Sequence, residues 1–269
     1  MQFTRIGPAP RIALEWSGEG PLVVFLHGIG GNRHSWAKQL PVIAERFTAV
    51  AWDVRGYLDS DDYPGVLTFD DLAADLERVL DAHGVDQAHL VGASMGGRIA
   101  LHFYRRWPER VASLVLADTS AGSEVQASPQ KIEEFLALRR KPLLEGKSTA
   151  DIAPDIARTL VAPHCPPNIL AEAIAGLSAL RRDSYLKTLE ATTRFNDFPR
   201  YDSIKVPTLV IVGEHDRLAT PEFARRVVAQ LPIGTLRIVG DAGHLSNQEK
   251  PEAFNQELMR FLVAQDANR

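Results

Sequence analysis

The chain reads as an α/β protein: a mostly parallel central sheet flanked by helices and interrupted once by a helical insertion. Three observations predict this. Short, unbroken apolar runs recur through the 269 residues and alternate with segments of helical spacing. Several of those runs end directly in glycine-rich turns. The alternation then fails between about 122 and 203, where only helical patterns occur. With 45% hydrophobic and 24% charged residues, the chain has the composition of a globular protein with a full-sized core.

Strand candidates lie near residues 12–15, 22–26, 48–52, 88–92, 111–117, 208–213 and 235–239. Most are continuous apolar stretches, as expected of parallel strands covered on both faces. Helices fit between them. Leu72, Leu76, Val79 and Leu80 form one apolar stripe, with a capping box at Thr68 and Asp71 before it and a stop at Gly84. Residues 98–104 have helical spacing, and Pro221 and Pro251 suit the first turns of later helices. In the insertion, residues 131–136, 151–153 and 169–174 read as helices punctuated by Pro142, Pro154, Pro163, Pro166 and Pro167. The expected division is a core of 1–121 and 204–269 with a helical cap at 122–203. Phe135, Leu136, Leu160, Ile169, Leu177, Leu180 and Phe195 are apolar enough to line a pocket beneath that cap.

The chemistry is concentrated at strand ends. Gly92-Ala93-Ser94-Met95-Gly96-Gly97 follows an apolar run and opens a helical segment. A Gly-x-Ser-x-Gly sequence at a strand-to-helix turn is a nucleophile elbow, which lifts the serine hydroxyl clear of the sheet beside a helix N-terminus. Serine needs a base to take its proton. His244, on the loop after the last strand candidate, can supply it, and Asp216, after the run 208–212, can orient the imidazole. Asp118 and Glu214 are rival acids. The backbone N–H groups of Ile29 and Met95 are candidates for an oxyanion hole. His27 is expected to shape that turn, Asp53 and Arg55 to be structural, and Cys165 to be a bystander.

Four motifs stand in one order: His27-Gly28, Asp53-Val54-Arg55-Gly56, the elbow at Ser94, and the Asp216/His244 pair. On these the chain resembles the α/β-hydrolase fold family along nearly its full length. Residues 116–121 and 251–255 are most similar to small bacterial carboxylesterases and 3-oxoadipate enol-lactonase-like proteins. That resemblance implies a serine hydrolase cleaving carboxylic esters or lactones through a Ser-His-Asp triad and an acyl-enzyme, with no metal and no cofactor. Two alternatives stay open: a C–C bond hydrolase of aromatic degradation, or a ligand receptor on a hydrolase scaffold. C–C bond hydrolases usually carry Asn before the serine and Trp after the histidine, where this chain has Ala93 and Leu245. Leu58 departs from the small residue expected after Gly56-Tyr57.

Other classes fit less well. A net charge of −4 gives no reason to expect nucleic acid or an acidic membrane as partner. Arg33 replaces the third glycine of a dinucleotide fingerprint after Gly28 and Gly30, and neither a P-loop nor a zinc-binding spacing occurs. The single cysteine and the polar first residues point to a cytoplasmic protein, and no apolar run is long enough for a membrane span. The expected partner is a small-molecule ester or lactone, and the expected assembly a monomer or homodimer.

Overall fold

Unbroken apolar runs can be buried on both faces, and they form the middle of the sheet in the computed structural model, which describes residues 1–121 and 128–266. The strands are β1 (Gln2–Ile6), β2 (Ile12–Ser17), β3 (Leu22–Leu26), β4 (Thr48–Trp52), β5 (Ala88–Ala93), β6 (Val111–Ala117), β7 (Thr208–Gly213) and β8 (Gly234–Val239). They pair in the order β1-β2-β4-β3-β5-β6-β7-β8. β1, β2 and β4 are joined by antiparallel pairing, and every pair from β4 to β8 is parallel. The register sets Leu26 opposite Gly92, Ala93 opposite Ala117, and Ala117 opposite Ile211. The residues that follow these strands therefore emerge along one edge of the sheet.

Side chains alternate across the sheet, so neighbouring residues enter different cores. Val24, Leu26, Leu90, Leu114, Leu116 and Val210 belong to one cluster, which continues into α2 (Phe69–Ala82) and α3 (Met95–Arg106). Val23, Phe25, Val91, Val115 and Ile211 belong to the other. That second cluster is closed by α1 (Leu40–Ile43) and by Phe254, Leu258 and Leu262 of a C-terminal helix. α2 has the full capping box, Asp71 N–H to Thr68 Oγ1 at 3.1 Å and Thr68 N–H to Asp71 Oδ2 at 3.0 Å.

Among the described residues, four α-helices follow β6 and precede β7: α4 (Pro129–Leu144), α5 (Thr149–Leu160), α6 (Pro167–Ser178) and α7 (Arg182–Arg194). Residues 122–127, where the expected cap begins, lie outside the described residues. After β7 come α8 (Pro221–Gln230), α9 (Ser246–Glu249) and α10 (Pro251–Asp266). Among the described residues no helix is long and apolar enough to cross a membrane.

Two local expectations change. β1 is an edge strand with Phe3 exposed, so it lacks the apolar run that marks the inner strands. Pro142 and Pro154 lie inside α4 and α5 rather than between helices. Each removes one N–H donor, Pro142 near the end of α4 and Pro154 in the middle of α5, and packing of the helix face outweighs the lost bond. Pro166 and Pro167 do punctuate, as the N-cap and first residue of α6.

Candidate active site

The elbow between β5 and α3 is built by close approach. A Cβ on Gly92 would lie 2.4 Å from the backbone of Gly96, and one on Gly96 would lie 2.0 Å from the carbonyl oxygen of Leu26. No side chain fits at either place. The bend holds Ser94 at φ 52 and ψ −112, a strained conformation costing on the order of 1–3 kcal/mol. Ser94 stands at the N-cap of α3 but makes no side-chain cap bond there, which leaves its hydroxyl to the imidazole.

Ser94, His244 and Asp216 meet at the sheet edge. His244 Nε2 is 3.0 Å from Ser94 Oγ, and His244 Nδ1 is 2.8 Å from Asp216 Oδ2. The other oxygen of Asp216 accepts the N–H groups of Leu218 and Ala219 at 2.7 and 3.0 Å, which fixes the carboxylate in its own turn. An ionised Asp216 can only accept, so Nδ1 carries the proton and Nε2 is free to accept the serine proton. Burial disfavours charge on His244. The hydrogen bond and charge of Asp216, reinforced by Asp118 and Glu249, outweigh that and raise the imidazole above its ordinary 6.5.

Ile29 lines the cleft together with Ser94 and His244. Its turn is shaped by buried His27, whose Nδ1 donates to the Gly28 carbonyl at 2.9 Å and whose Nε2 accepts the Val54 N–H at 3.1 Å. Burial lowers the His27 pKa, so the ring stays neutral in this role. Met95 supplies the first amide of α3, next to the serine.

The rival acids have other work. Asp118 is buried and accepts the Gly213 N–H at 2.9 Å, the Ser246 N–H at 3.1 Å and the Ser246 hydroxyl at 2.6 Å. Burial and the neighbouring Asp216 charge push its pKa up to about 7. It braces the loops that carry Asp216 and His244 instead of binding the imidazole. Glu214 is exposed and accepts the Asp241 N–H at 3.0 Å. Asp53 binds the backbone N–H and guanidinium of Arg33, while Arg55 pairs with Asp75 and Asp71. Both are structural. Leu58 adopts φ 39, the left-handed region that a smaller residue would enter more easily. Burial pushes the Cys165 thiol up to about 11, far from a reactive thiolate.

Glu249 carries no sequence signal, yet it ties the histidine loop to the insertion. Its buried carboxylate accepts the N–H of Gly243 at 2.9 Å and of Ala162 at 2.8 Å. The His244 N–H donates to the Leu160 carbonyl at 2.6 Å. A Cβ at Gly243 would lie 2.5 Å from the Ala162 nitrogen, so the loop and the end of α5 are in direct backbone contact.

The cleft has two lobes meeting at Ser94 and His244, of about 430 and 190 Å³. Ile29, Phe135, Leu189 and Leu218 border both. Of the apolar residues expected to line a pocket, Phe135, Leu160, Leu177 and Phe195 do so. Leu136, Ile169 and Leu180 are absent from both linings and are buried elsewhere. Arg98 and Arg139 also reach the cleft, and no motif marked them.

A strand-end elbow, a histidine and an acid on later strand ends, and a helical insertion above them define a class of protein. The chain belongs to the α/β-hydrolase fold family, whose model matches residues 21–162. It is 33% identical, over 96% of its length and 92% of the relative's, to a 2-hydroxy-6-oxononadienedioate/2-hydroxy-6-oxononatrienedioate hydrolase of Klebsiella pneumoniae. Among solved structures it resembles a thermophilic esterase from Thermogutta terrifontis, with TM-score 0.88, 26% identity, and 98% and 99% of the two chains covered. It also resembles the enol-lactonase from Burkholderia xenovorans LB400, with TM-score 0.83, 25% identity, and 94% and 96% covered.

These findings correct the expected subfamily. Sequence likeness over the whole chain is higher to the oxononadienedioate hydrolase than to the esterase or the enol-lactonase. The expectations of a carboxylic ester hydrolase and of an ester or lactone substrate therefore fall. Ala93 and Leu245, in place of Asn and Trp, do not decide the chemistry. Both border the smaller lobe, but neither carries the nucleophile, base or acid. Changes there alter the pocket wall and leave the Ser94–His244–Asp216 contacts in place.

Proposed function

We propose that this chain is a C–C bond hydrolase of aromatic degradation, acting on a ring-fission acid with a 2-hydroxy-6-oxo dienoate system. The observation that carries the reading is the 33% identity over 96% of the chain to a hydrolase of that substrate class. The hydrogen-bonded line from Ser94 through His244 to Asp216, at 3.0 and 2.8 Å, supports the chemistry.

A carbon leaving group departs only if its electron pair is delocalised. Moving the proton of the 2-hydroxyl to C5 gives the 2,6-dioxo form and creates that sink. Ser94 Oγ then adds to the C6 carbonyl while His244 takes its proton, and the N–H groups of Ile29 and Met95 hold the oxyanion. The C5–C6 bond breaks, and its electron pair passes through C3 and C4 to the C2 oxygen. His244 returns the proton and releases a 2-hydroxydienoate. Water, activated by the same histidine, cleaves the acyl group from Ser94. One water is consumed and two carboxylic acids leave. Residues 122–203 serve as the cap that excludes bulk water, a role supported by Phe135 and Leu189 bordering both lobes. A single cysteine, which excludes intrachain disulfides, supports placing this activity in the cytoplasm.

The test is hydrolysis of a synthetic 2-hydroxy-6-oxo dienoic acid, followed by loss of dienol absorbance and identification of both acids. The reading predicts turnover that Ser94→Ala abolishes. Fast turnover of simple esters with the dienoate untouched would overturn it.

A further inference from the structure

The two lobes each hold one arginine that no described carboxylate neutralises. Arg98 lies one helical turn after Ser94 and lines the larger lobe. Its Nε donates to the Ser120 carbonyl at 2.9 Å and its Nη1 to the Thr192 carbonyl at 2.8 Å. A guanidinium has five N–H donors, so most of this fork is left for another acceptor. No Asp or Glu is among the described residues lining that lobe; Lys131 and Arg194 stand at it too, Arg194 paired with Glu133 and Glu190. Burial lowers the Arg98 pKa, and its guanidinium lies 5.8 Å over the Phe198 ring. Arg139 lines the smaller lobe, 5.5 Å over the ring of Phe135. Glu172, in the same lobe, forms its ion pair with Lys38. The two cations thus flank Ser94 from opposite lobes.

We infer that the cleft binds a dianion across Ser94, with one substrate carboxylate on Arg98 and the other on Arg139. This rests on the C–C hydrolase reading and adds the residues that select its substrate. A structural clasp from α3 to α7 would need only the two donors that Arg98 already uses, and a neutral amide could provide them. A half-buried guanidinium with no carboxylate beside it favours an anion as its remaining partner. Two fixed cations also set the position of the chain between them, which places the ketone carbon at the serine.

The experiment separates recognition from turnover. The probes are 6-oxononanedioate, which lacks the dienol sink and is not cleaved, its two monoamides and its diamide. Dissociation constants are measured by calorimetry on the Ser94→Ala protein and on its Arg98→Gln and Arg139→Gln derivatives. Hydrogen bonds to charged groups predict a diacid bound on the order of 10-fold or more tighter than either monoamide. Arg98→Gln should erase the preference over one monoamide and keep it over the other, with Arg139→Gln giving the converse. Equal binding of diacid and diamide, or an equal loss for all four ligands in each variant, would overturn the inference. If Arg98→Gln does not fold, Arg139→Gln carries the test alone: it must erase the preference over one monoamide and keep it over the other. Failure of the dienoate to turn over would remove the proposed reaction. Failure of the charge preference removes only the dianion site.

Discussion

Glu249→Gln is the perturbation that best tests how the histidine is held. The side chain keeps its size, so packing is preserved and only charge and hydrogen-bonding capacity change. In the native protein the two carboxylate oxygens accept the N–H groups of Gly243 at 2.9 Å and Ala162 at 2.8 Å. Glutamine keeps one acceptor and turns an NH₂ group toward the other N–H. One charge-assisted bond is lost and one buried donor is left unpaired, a cost of about 2–3 kcal/mol. For a chain of this size that lowers Tm by roughly 4–9 °C. Activity should suffer further, because Gly243 precedes His244 and the same loop sets the 3.0 Å contact with Ser94. A displacement of about 1 Å at that contact corresponds to a fall of about 100-fold in kcat/KM. The assay pairs urea unfolding, followed by tryptophan fluorescence, with dienoate turnover at saturating and limiting substrate. Loss of the Glu249 charge should also move the acid limb of the pH profile downward, since that charge helps raise the His244 pKa. An unchanged urea midpoint with unchanged rates would refute the reasoning.

Ser94→Ala should fold as the wild type does and lose turnover by on the order of 10⁴-fold or more, checked by single-turnover kinetics and circular dichroism. Activity in the wild type should rise with a midpoint above 6.5, because His244 must be neutral to act as base and its pKa is raised. Asp216→Asn should depress the rate and shift that midpoint to lower pH, since Asp216 supplies the dominant raising contact; a midpoint that stays fixed refutes the assignment. Stability should move the opposite way across the same range. His244 and Asp118 both have native pKa values above their ordinary 6.5 and 3.8, so their stabilising contribution is complete below those ordinary values. It is lost as pH rises through the native values, about 7 for Asp118. Tm measured from pH 5 to 9 checks this, and a Tm that climbs steadily over that range would contradict it. Leu58→Gly should raise stability by about 0.5–1 kcal/mol by relieving the φ of 39, read as a higher urea midpoint.

Much of the framework was legible because its causes are local. Inner strands are continuous apolar runs since both faces are covered. The elbow needs Gly92 and Gly96 since no Cβ fits across the bend, and the capping box at Thr68 and Asp71 is three residues long. The positions of Ser94, Asp216 and His244 could be anticipated because each follows a strand, and strand register brings those ends to one edge. What the local pattern could not decide were choices made by distant neighbours. β1 is held by pairing with β2 despite its exposed, mixed composition. Pro142 and Pro154 stay helical because the faces around them pack. Asp118 and Asp216 both follow strands, and only the folded loops send one to Ser246 and the other to His244. Glu249, Arg98 and Arg139 acquire meaning from groups far away in the chain. The same holds for the reaction itself. A serine, a histidine and an aspartate serve many leaving groups, so the motifs determined the fold family and not the reaction. The choice among substrates depends on the walls and charges of a cleft assembled from residues more than a hundred positions apart.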